Sequence, residues 1–267
     1  MDPSLSIFAT TVDGVLLPDS NLSFLIDLGY RNDMTLREFG SMFERAAYTT
    51  SSSCWNRKSL IHTPFHISRL LESYEAIARE EQPNQEIQIP DPQVILESIQ
   101  VVLNEIDRKC VSTDRPSILS EALVFICIPV VYKAGIQSAS TGLDLGLPHI
   151  FVRAMASESI LSKTPEPVTV ELRPFVRHLA YAKDTSWISR RKVLESIRDP
   201  RASETILYEH STGHVLEGTI TNFYVIMKSG EVVTADDLIL KGHIRSLVLD
   251  IAEKSLGKPI LLHPARM

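Results

Sequence analysis

The apolar run from Ala122 to Val131 limits the possible folds of this chain more than any other stretch. It is too short to span a bilayer, and Pro129 lies inside it. Short, continuous apolar runs are typical of strands in sheets that are covered on both faces. His149 to Met155 is predicted as a second strand. The sequence therefore predicts a buried sheet in this part of the chain.

Three helices are predicted before these strands. The first follows a capping box at Thr35 to Glu38 and runs to about Ala46. The second is amphipathic and opens at His66. Its apolar stripe consists of Ile67, Leu70, Leu71, Tyr74 and Ile77. The third begins at Asp91-Pro92, an N-cap followed by proline at the first helical position, and runs to about Asp107.

A polar segment with two prolines, Ser162 to Pro167, marks a change in composition. Beyond it the apolar residues Val168, Val170 and Leu172 alternate as they do in a strand. Further strands are predicted on both sides of the turn at Ser211-Thr212-Gly213. We therefore place a domain boundary here, with an α/β sandwich domain over 1–163 and a β-rich domain over 164–267.

The composition excludes several classes of function. The 267 residues are 44% hydrophobic and 22% charged, as in a globular protein, and the net charge of −6 lacks the basic patch of a nucleic-acid-binding protein. No secretory signal or membrane-spanning stretch is evident. The cysteines Cys54, Cys110 and Cys127 show no paired spacing, which indicates reduced thiols and a cytoplasmic location. No His, Asp or Cys accompanies His66 at metal-binding spacing, so no metal site is predicted.

The stretch from Val215 to Tyr224 contains side chains that are poorly suited to a buried hydrophobic core. Glu217 is followed by Gly218 and by hydroxyl and amide side chains, an arrangement typical of a polar rim that faces a bound group. Upstream, Lys183 follows the largely apolar segment Leu179 to Ala182, which favours a partly buried amine. Downstream, Leu240 to Arg245 opens a helix with free backbone amides, the kind of site that favours phosphate.

This order of lysine, glutamate and glycine-opened helix resembles that of the class IV aminotransferases, the branched-chain and D-amino acid type. The resemblance implies the two-domain α+β architecture of fold-type IV enzymes and a pyridoxal 5'-phosphate cofactor. It implies that Lys183 is the catalytic residue that forms the Schiff base and shuttles a proton at the α-carbon. It also implies that Glu217 binds the ring nitrogen, and it assigns further cofactor contacts to Thr219, Thr221, Asn222, His243 and Ile244.

Two residues upstream match the same family pattern. Arg69 stands in the segment from His66 to Ser73, whose pattern H-x-x-R-L-x-x-S resembles the phosphate-binding arginine segment of the family, although most arginines on amphipathic helices are solvated. Tyr48 resembles an aromatic residue that lies near cofactor and substrate. A core tyrosine with a satisfied hydroxyl explains Tyr48 equally well.

The sequence departs from the family in two places. Ile220 stands where the family usually has a hydroxyl or another small residue, and the chain stops at Met267, before a helix and strand that family members possess. The resemblance thus implies a shortened homodimeric aminotransferase that acts on an amino acid and a 2-oxo acid, with lowered stability and weak or absent activity. An aminodeoxychorismate lyase-like enzyme and a non-catalytic family member are the alternatives.

Overall fold

The computed structural model describes residues 7–17, 31, 34–53, 57–112, 121–134, 143–144, 146–157, 166–257 and 259–266. The chain divides into two compact units. The first unit comprises Met1–Thr164 and Lys183–Ile188, and the second comprises Pro165–Ala182 and Ser189–Met267. Within the described ranges, none of the helices combines the length and the apolar character needed to cross a membrane. The predicted linker at Ser162 to Pro167 lies mostly outside the described residues.

A five-stranded antiparallel sheet forms the centre of the first unit. Its strands are β1 (Phe8–Val12), β2 (Val15–Leu16), β3 (Arg45–Ser52), β4 (Glu121–Val131) and β5 (Phe151–Ser157), in the spatial order β2-β1-β5-β4-β3. The strand predicted from the central apolar run is confirmed as β4, and most of its residues are buried. The strand predicted at His149 to Met155 is confirmed as β5.

Helices α1 (Leu36–Gly40), α2 (Thr63–Glu81) and α3 (Pro92–Val111) belong to the same unit. Helix α2 packs on β3 and β4, and α3 packs on β1 and β5. The predicted cap of α3 is confirmed, because Asp91 accepts a hydrogen bond from the Gln93 N–H at 2.8 Å.

The capping box before α1 is also confirmed, but the predicted extension of this helix to Ala46 is wrong. Thr35 accepts from the Glu38 N–H, and the Glu38 carboxylate accepts from the Thr35 N–H. The helix ends at Gly40, where an added Cβ would lie 2.7 Å from Phe125 Cζ. From Arg45 onward the chain instead pairs with β4.

The apolar core of the first unit gathers side chains from α1, β3, β4 and β5. Its buried members are Val12, Met34, Leu36, Phe39, Met42, Phe43, Ala46, Tyr48, Phe125, Cys127, Phe151 and Ile188. Phe39 meets Phe125 edge to face, with ring centroids 5.9 Å apart, an arrangement that adds to the stabilisation from burial.

The second unit contains two three-stranded sheets. One has the order β6-β7-β8, formed by β6 (Val170–Pro174), β7 (Glu204–Glu209) and β8 (His214–Gly218). The other has the order β11-β10-β9, formed by β9 (Val225–Ile226), β10 (Val232–Thr234) and β11 (Leu261–Leu262).

Helices connect the parallel strand pairs of these sheets. Strands β6 and β7 are parallel, and α4 (Ser186–Ser196) lies between them in sequence. Strands β10 and β11 are likewise parallel, with α5 (His243–Leu256) between them. The helix predicted to open near Gly242 is thus confirmed, and it ends at Gly257, whose left-handed φ of 60° suits a residue without a side chain.

Candidate active site

The backbone of Lys183 is held on both sides by the first unit. Its N–H donates to Ser73 Oγ on α2 at 3.0 Å, and its carbonyl accepts the Tyr48 N–H of β3 at 2.9 Å. The next residue, Asp184, forms a bridge with Ala47 of β3. Lys183 therefore belongs to the first unit, whereas the sequence-based boundary placed it in the second domain.

Asp184 anchors the segment that follows the lysine. One of its carboxylate oxygens accepts from Arg45 Nε at 2.7 Å, and the other accepts from the Ser186 N–H at 2.8 Å, at the start of α4. Burial disfavours the Arg45 cation, but the hydrogen bonds that Arg45 donates to the carboxylates of Glu80, Glu81 and Asp184 outweigh it and raise the pKa of Arg45. The lysine segment is thus joined to β3 by charge as well as by backbone hydrogen bonds.

The amine of Lys183 lies over the ring of Tyr48, 5.0 Å from its centroid. That ring is buried and stacks on Phe125, with centroids 5.2 Å apart and planes 14° apart. A cation over an aromatic face is attracted by the π electrons. Tyr48 is therefore a core residue and also a neighbour of the lysine amine. Its predicted part in substrate binding stays a prediction.

Arg69 is a buried cation that forms no ion pair with the described residues. Its side chain is on α2, with 8% of the residue exposed, and it donates to Thr49 Oγ1 at 3.0 Å. The guanidinium lies 5.2 Å from the ring centroid of Phe65, and Nε has no hydrogen-bond partner in the part of the chain that the structure describes. Burial lowers the pKa of Arg69 to about 10. Such a cation has the charge and the free donor to bind an anion.

Thr49 joins Arg69 to His66. Arg69 donates to the Thr49 hydroxyl, and His66 Nδ1 lies 2.8 Å from the same hydroxyl oxygen. The predicted helix start at His66 is three residues too late, because α2 begins at Thr63. His66 is 1% exposed and faces Thr49 and Arg69.

In the second unit Glu217 forms a buried ion pair with Arg177. Arg177 Nη1 lies 3.0 Å from Glu217 Oε1, and its Nη2 donates to the Ala182 carbonyl at 3.3 Å. The other oxygen of Glu217 accepts the Leu240 N–H at 3.0 Å. Arg177 was not predicted, because only its contact with a residue forty positions away identifies it.

Asn222 fixes the start of α5. Its amide nitrogen donates to the Leu240 carbonyl at 2.8 Å, and its oxygen accepts the Gly242 N–H at 3.0 Å. Gly242 is the N-cap and provides no side-chain cap, and the first turn of the helix begins at His243 and Ile244. This is the local geometry in which anions bind at helix ends. A side chain at position 242 would collide with Asn222.

The two threonines predicted as cofactor contacts donate to a carboxylate instead. Thr219 Oγ1 lies 2.6 Å and Thr221 Oγ1 lies 3.1 Å from the two oxygens of Glu204 on β7. Ile220, between them, is 67% exposed. Both hydroxyl protons are thus engaged in holding the turn after β8, and the cofactor-binding roles of Thr219 and Thr221 stay predictions.

The profile of the family described as amino-transferase class IV matches residues 130–261. The chain belongs to the class IV aminotransferase family. No curated protein sequence matches this class IV aminotransferase.

Solved structures share its fold at low sequence identity. A fold IV-transaminase from Curtobacterium pusillum is 17% identical with a TM-score of 0.66, over 97% of this chain and 83% of that chain. A hypothetical aminotransferase from Mycobacterium tuberculosis, in its PLP-bound form, is 15% identical with a TM-score of 0.61, over 97% and 82% of the two chains. A putative 4-amino-4-deoxychorismate lyase is 20% identical with a TM-score of 0.57, over 83% and 75%. The predicted α+β fold of fold-type IV enzymes is confirmed.

The class IV aminotransferase places its predicted site residues in two groups. Lys183, Tyr48 and Arg69 lie in the first unit, and Glu217, Thr219, Thr221, Asn222, His243 and Ile244 lie in the second. The pairing of Lys183 with Glu217 about one cofactor therefore stays a prediction. No group of three or more potential metal ligands occurs among the residues that the structure describes.

Proposed function

We propose that this chain transfers an amino group between an amino acid and a 2-oxo acid, with pyridoxal 5'-phosphate as cofactor. Membership of the class IV aminotransferases is the observation that carries the proposal. Of the neighbouring structures, the hypothetical aminotransferase from Mycobacterium tuberculosis was solved both with PLP and with alpha-ketoglutarate and PMP. When bound, this cofactor supplies an aldehyde for covalent attachment and a ring that accepts electrons from the substrate α-carbon.

The residues of the two units fit the chemical groups of that cofactor. We assign the covalent attachment to the amine of Lys183, which is partly buried over the Tyr48 ring. We assign the phosphate to Arg69, a buried cation that has no ion pair within the described ranges. Glu217 is a buried carboxylate, and it is assigned to the ring nitrogen.

The proton transfer at the substrate α-carbon is assigned to Lys183. The amine of a lysine can serve as a general acid and base when the backbone of that lysine is fixed and its side chain can still move. The Lys183 N–H donates to Ser73 and the Lys183 carbonyl accepts from Tyr48, so the backbone is fixed, and the four-carbon side chain stays rotatable. This combination favours a lysine that exchanges a proton rather than one that only forms an ion pair.

Substitution of the lysine tests the proposal. Borohydride reduction in the presence of pyridoxal phosphate should fix one pyridoxyl group to the Lys183 peptide of the wild-type chain, seen as a mass increase. Lys183→Ala should lose this label, because the only amine assigned to the bond is gone. Lys192→Ala is the matched control, since Lys192 is exposed on α4 and should keep the label. A wild-type chain that takes up no label contradicts the proposal and favours a non-catalytic member of the family.

A lyase that acts on aminodeoxychorismate is the second candidate. The structural likeness to a putative 4-amino-4-deoxychorismate lyase, at 20% identity, favours this alternative. A transaminase needs a 2-oxo acid as amino acceptor, whereas a lyase does not. Product formation that continues without any 2-oxo acid would therefore identify the lyase.

We further propose that the chain works in the cytoplasm as a homodimer. Cys110 and Cys127 form no disulfide within the described part of the chain, as expected in a reducing compartment. Val170 and Leu172 on β6 are 45% and 50% exposed, and a partner subunit could cover them. Light scattering should give twice the 29.9 kDa mass of one chain. A particle of monomer mass at micromolar concentration would contradict the dimer.

A further inference from the structure

The Ser73 hydroxyl forms two hydrogen bonds that join the two predicted cofactor-binding segments of the first unit. It donates to the Arg69 carbonyl, one turn earlier on α2, at 2.7 Å. It accepts the Lys183 N–H at 3.0 Å. Ser73 is 1% exposed, so neither bond competes with bulk water. A single oxygen therefore connects the turn that carries Arg69 to the peptide that carries Lys183.

A serine suits this position for a specific chemical reason. Its hydroxyl has one proton to give and two lone pairs with which to accept, so it can serve a carbonyl and an N–H at once. Alanine offers neither group, and a thiol is a weak donor and acceptor. If the hydroxyl were removed, the Lys183 N–H would lose its acceptor in a buried environment, which is unfavourable.

Buried helical serines often donate to the carbonyl four residues earlier without any further role. Ser98 on α3 is such a residue in this chain. It is fully buried and donates to the Val94 carbonyl at 2.7 Å, and no backbone N–H of another described segment donates to it. The bond from Lys183 is the feature that separates Ser73 from this structural case.

We propose that Ser73 is a positioning residue for Lys183, which acts by holding the lysine peptide at a set place relative to the Arg69 turn of α2. This inference rests on the proposed function. The lysine carbonyl is already fixed by the Tyr48 N–H. Ser73 fixes the other side of the residue, so loss of its hydroxyl lets the peptide tilt and spreads the positions that the amine occupies.

The experiment compares four variants with the wild type. Ser73→Ala and Ser73→Cys remove or weaken the hydroxyl, and the cysteine keeps the volume. Ser98→Ala and Ser98→Cys make the same changes at the structural serine. Thermal unfolding reports whether each variant folds. Hydrogen exchange of the Lys183 amide, read by mass spectrometry with fragmentation to single residues, is measured on the protein without cofactor. The rate of borohydride-trapped labelling of Lys183 by pyridoxal phosphate is measured separately.

Both Ser73 variants should exchange the Lys183 amide faster, and labelling should slow by about tenfold, because small misplacements of a reacting group cost large factors in rate. Both Ser98 variants should match the wild type in exchange and labelling. Unchanged exchange of the Lys183 amide in the Ser73 variants would show that the Lys183 N–H is not held by the Ser73 hydroxyl. Faster exchange with unchanged labelling would overturn the positioning role. A wild-type chain that exchanges slowly but takes up no label would overturn the proposed function and, with it, the catalytic part of this inference.

Discussion

A buried arginine with no ion pair in the described part of the chain is unfavourable for the stability of the fold. Arg69 lowers the stability of its surroundings through the desolvation of its charge, which also lowers its pKa to about 10. An anion that binds there replaces the solvation that the Arg69 guanidinium lost on burial. The burial of this residue is therefore better explained by a ligand than by packing.

Arg69→Gln should weaken the binding of pyridoxal phosphate by roughly tenfold to a hundredfold, the factor for loss of about 1.5–3 kcal/mol from one charge-assisted hydrogen bond. The binding of pyridoxal, which lacks the phosphate, should stay unchanged. Equilibrium titration followed by absorbance measures both. Arg79→Gln is the control on the same helix, because the Arg79 side chain is 68% exposed. Equal weakening for both ligands would contradict the assignment of Arg69 to the phosphate.

The two groups of candidate site residues differ in how far they could be predicted from the sequence. Lys183 and Arg69 could be proposed from short local patterns, and the pattern that carries Arg69 also contains His66 and Ser73, which share a helix face with it because they are three and four residues away. Arg177 could not be proposed, because its partner Glu217 is on another strand and the contact depends on tertiary structure. Local patterns identify reactive groups better than they identify the residues that hold them.

Among the elements, the segment from Lys183 to Ile188 is joined to β3 by a buried ion pair as well as by backbone hydrogen bonds. The side chains of Arg45 and Asp184 are 11% and 6% exposed, and Asp184 also accepts the Ser186 N–H at the start of α4. Removal of one partner leaves the other charge buried without compensation. The position of this segment beside β3 is therefore more sensitive to Asp184 than to the surface acids that also bind Arg45.

Asp184→Ala should lower the free energy of unfolding by about 3 kcal/mol, the cost of breaking a buried ion pair. Glu80→Ala should lower it by no more than about 1 kcal/mol, because the Glu80 side chain is 38% exposed and solvent screens the interaction. Urea unfolding at neutral pH measures both values. Similar losses in the two variants would show that Arg45 makes no special contribution through Asp184.

Helix boundaries show the limit of sequence patterns at the scale of elements. The starts of α1 and α3 were predictable, because capping side chains act within three residues of the boundary. The end of α1 was not, because the chain leaves the helix to pair from Arg45 onward with β4, a strand distant in sequence. Starts that depend on local hydrogen bonds can be predicted, whereas ends that depend on packing cannot.

For the whole molecule, hydrogen-bonded carboxylates link stability to pH. The carboxylates whose pKa lies below the ordinary value are Glu38, Glu105, Glu171, Asp199 and Asp236. Hydrogen bonds from Arg173, above all, lower the pKa of Glu171 from 4.5 to about 2. A group with a lowered folded-state pKa stabilises the fold above its unfolded-state pKa, and this contribution disappears as the pH falls through the folded-state value.

The free energy of unfolding should therefore fall as the pH drops from about 4.5 toward 2, and Glu171→Gln should make the fall shallower. Urea unfolding at a series of pH values measures this dependence. Glu253→Gln is the control, since Glu253 is exposed on α5 and forms no ion pair within the described ranges. A Glu171→Gln chain whose stability falls as steeply as that of the wild type would contradict the linkage.

The pairing of residues 265 and 266 with β8 has a consequence for synthesis. The Val215 N–H donates to the Ala265 carbonyl, and His214 forms a bridge with Arg266. The N-terminal part of the chain emerges from the ribosome first. The five-stranded sheet of the first unit can therefore assemble early, because its last strand ends at Ser157. Until residue 266 has emerged, the outer edge of β8 has unpaired backbone groups in the nascent chain, and such an edge can be bound by chaperones.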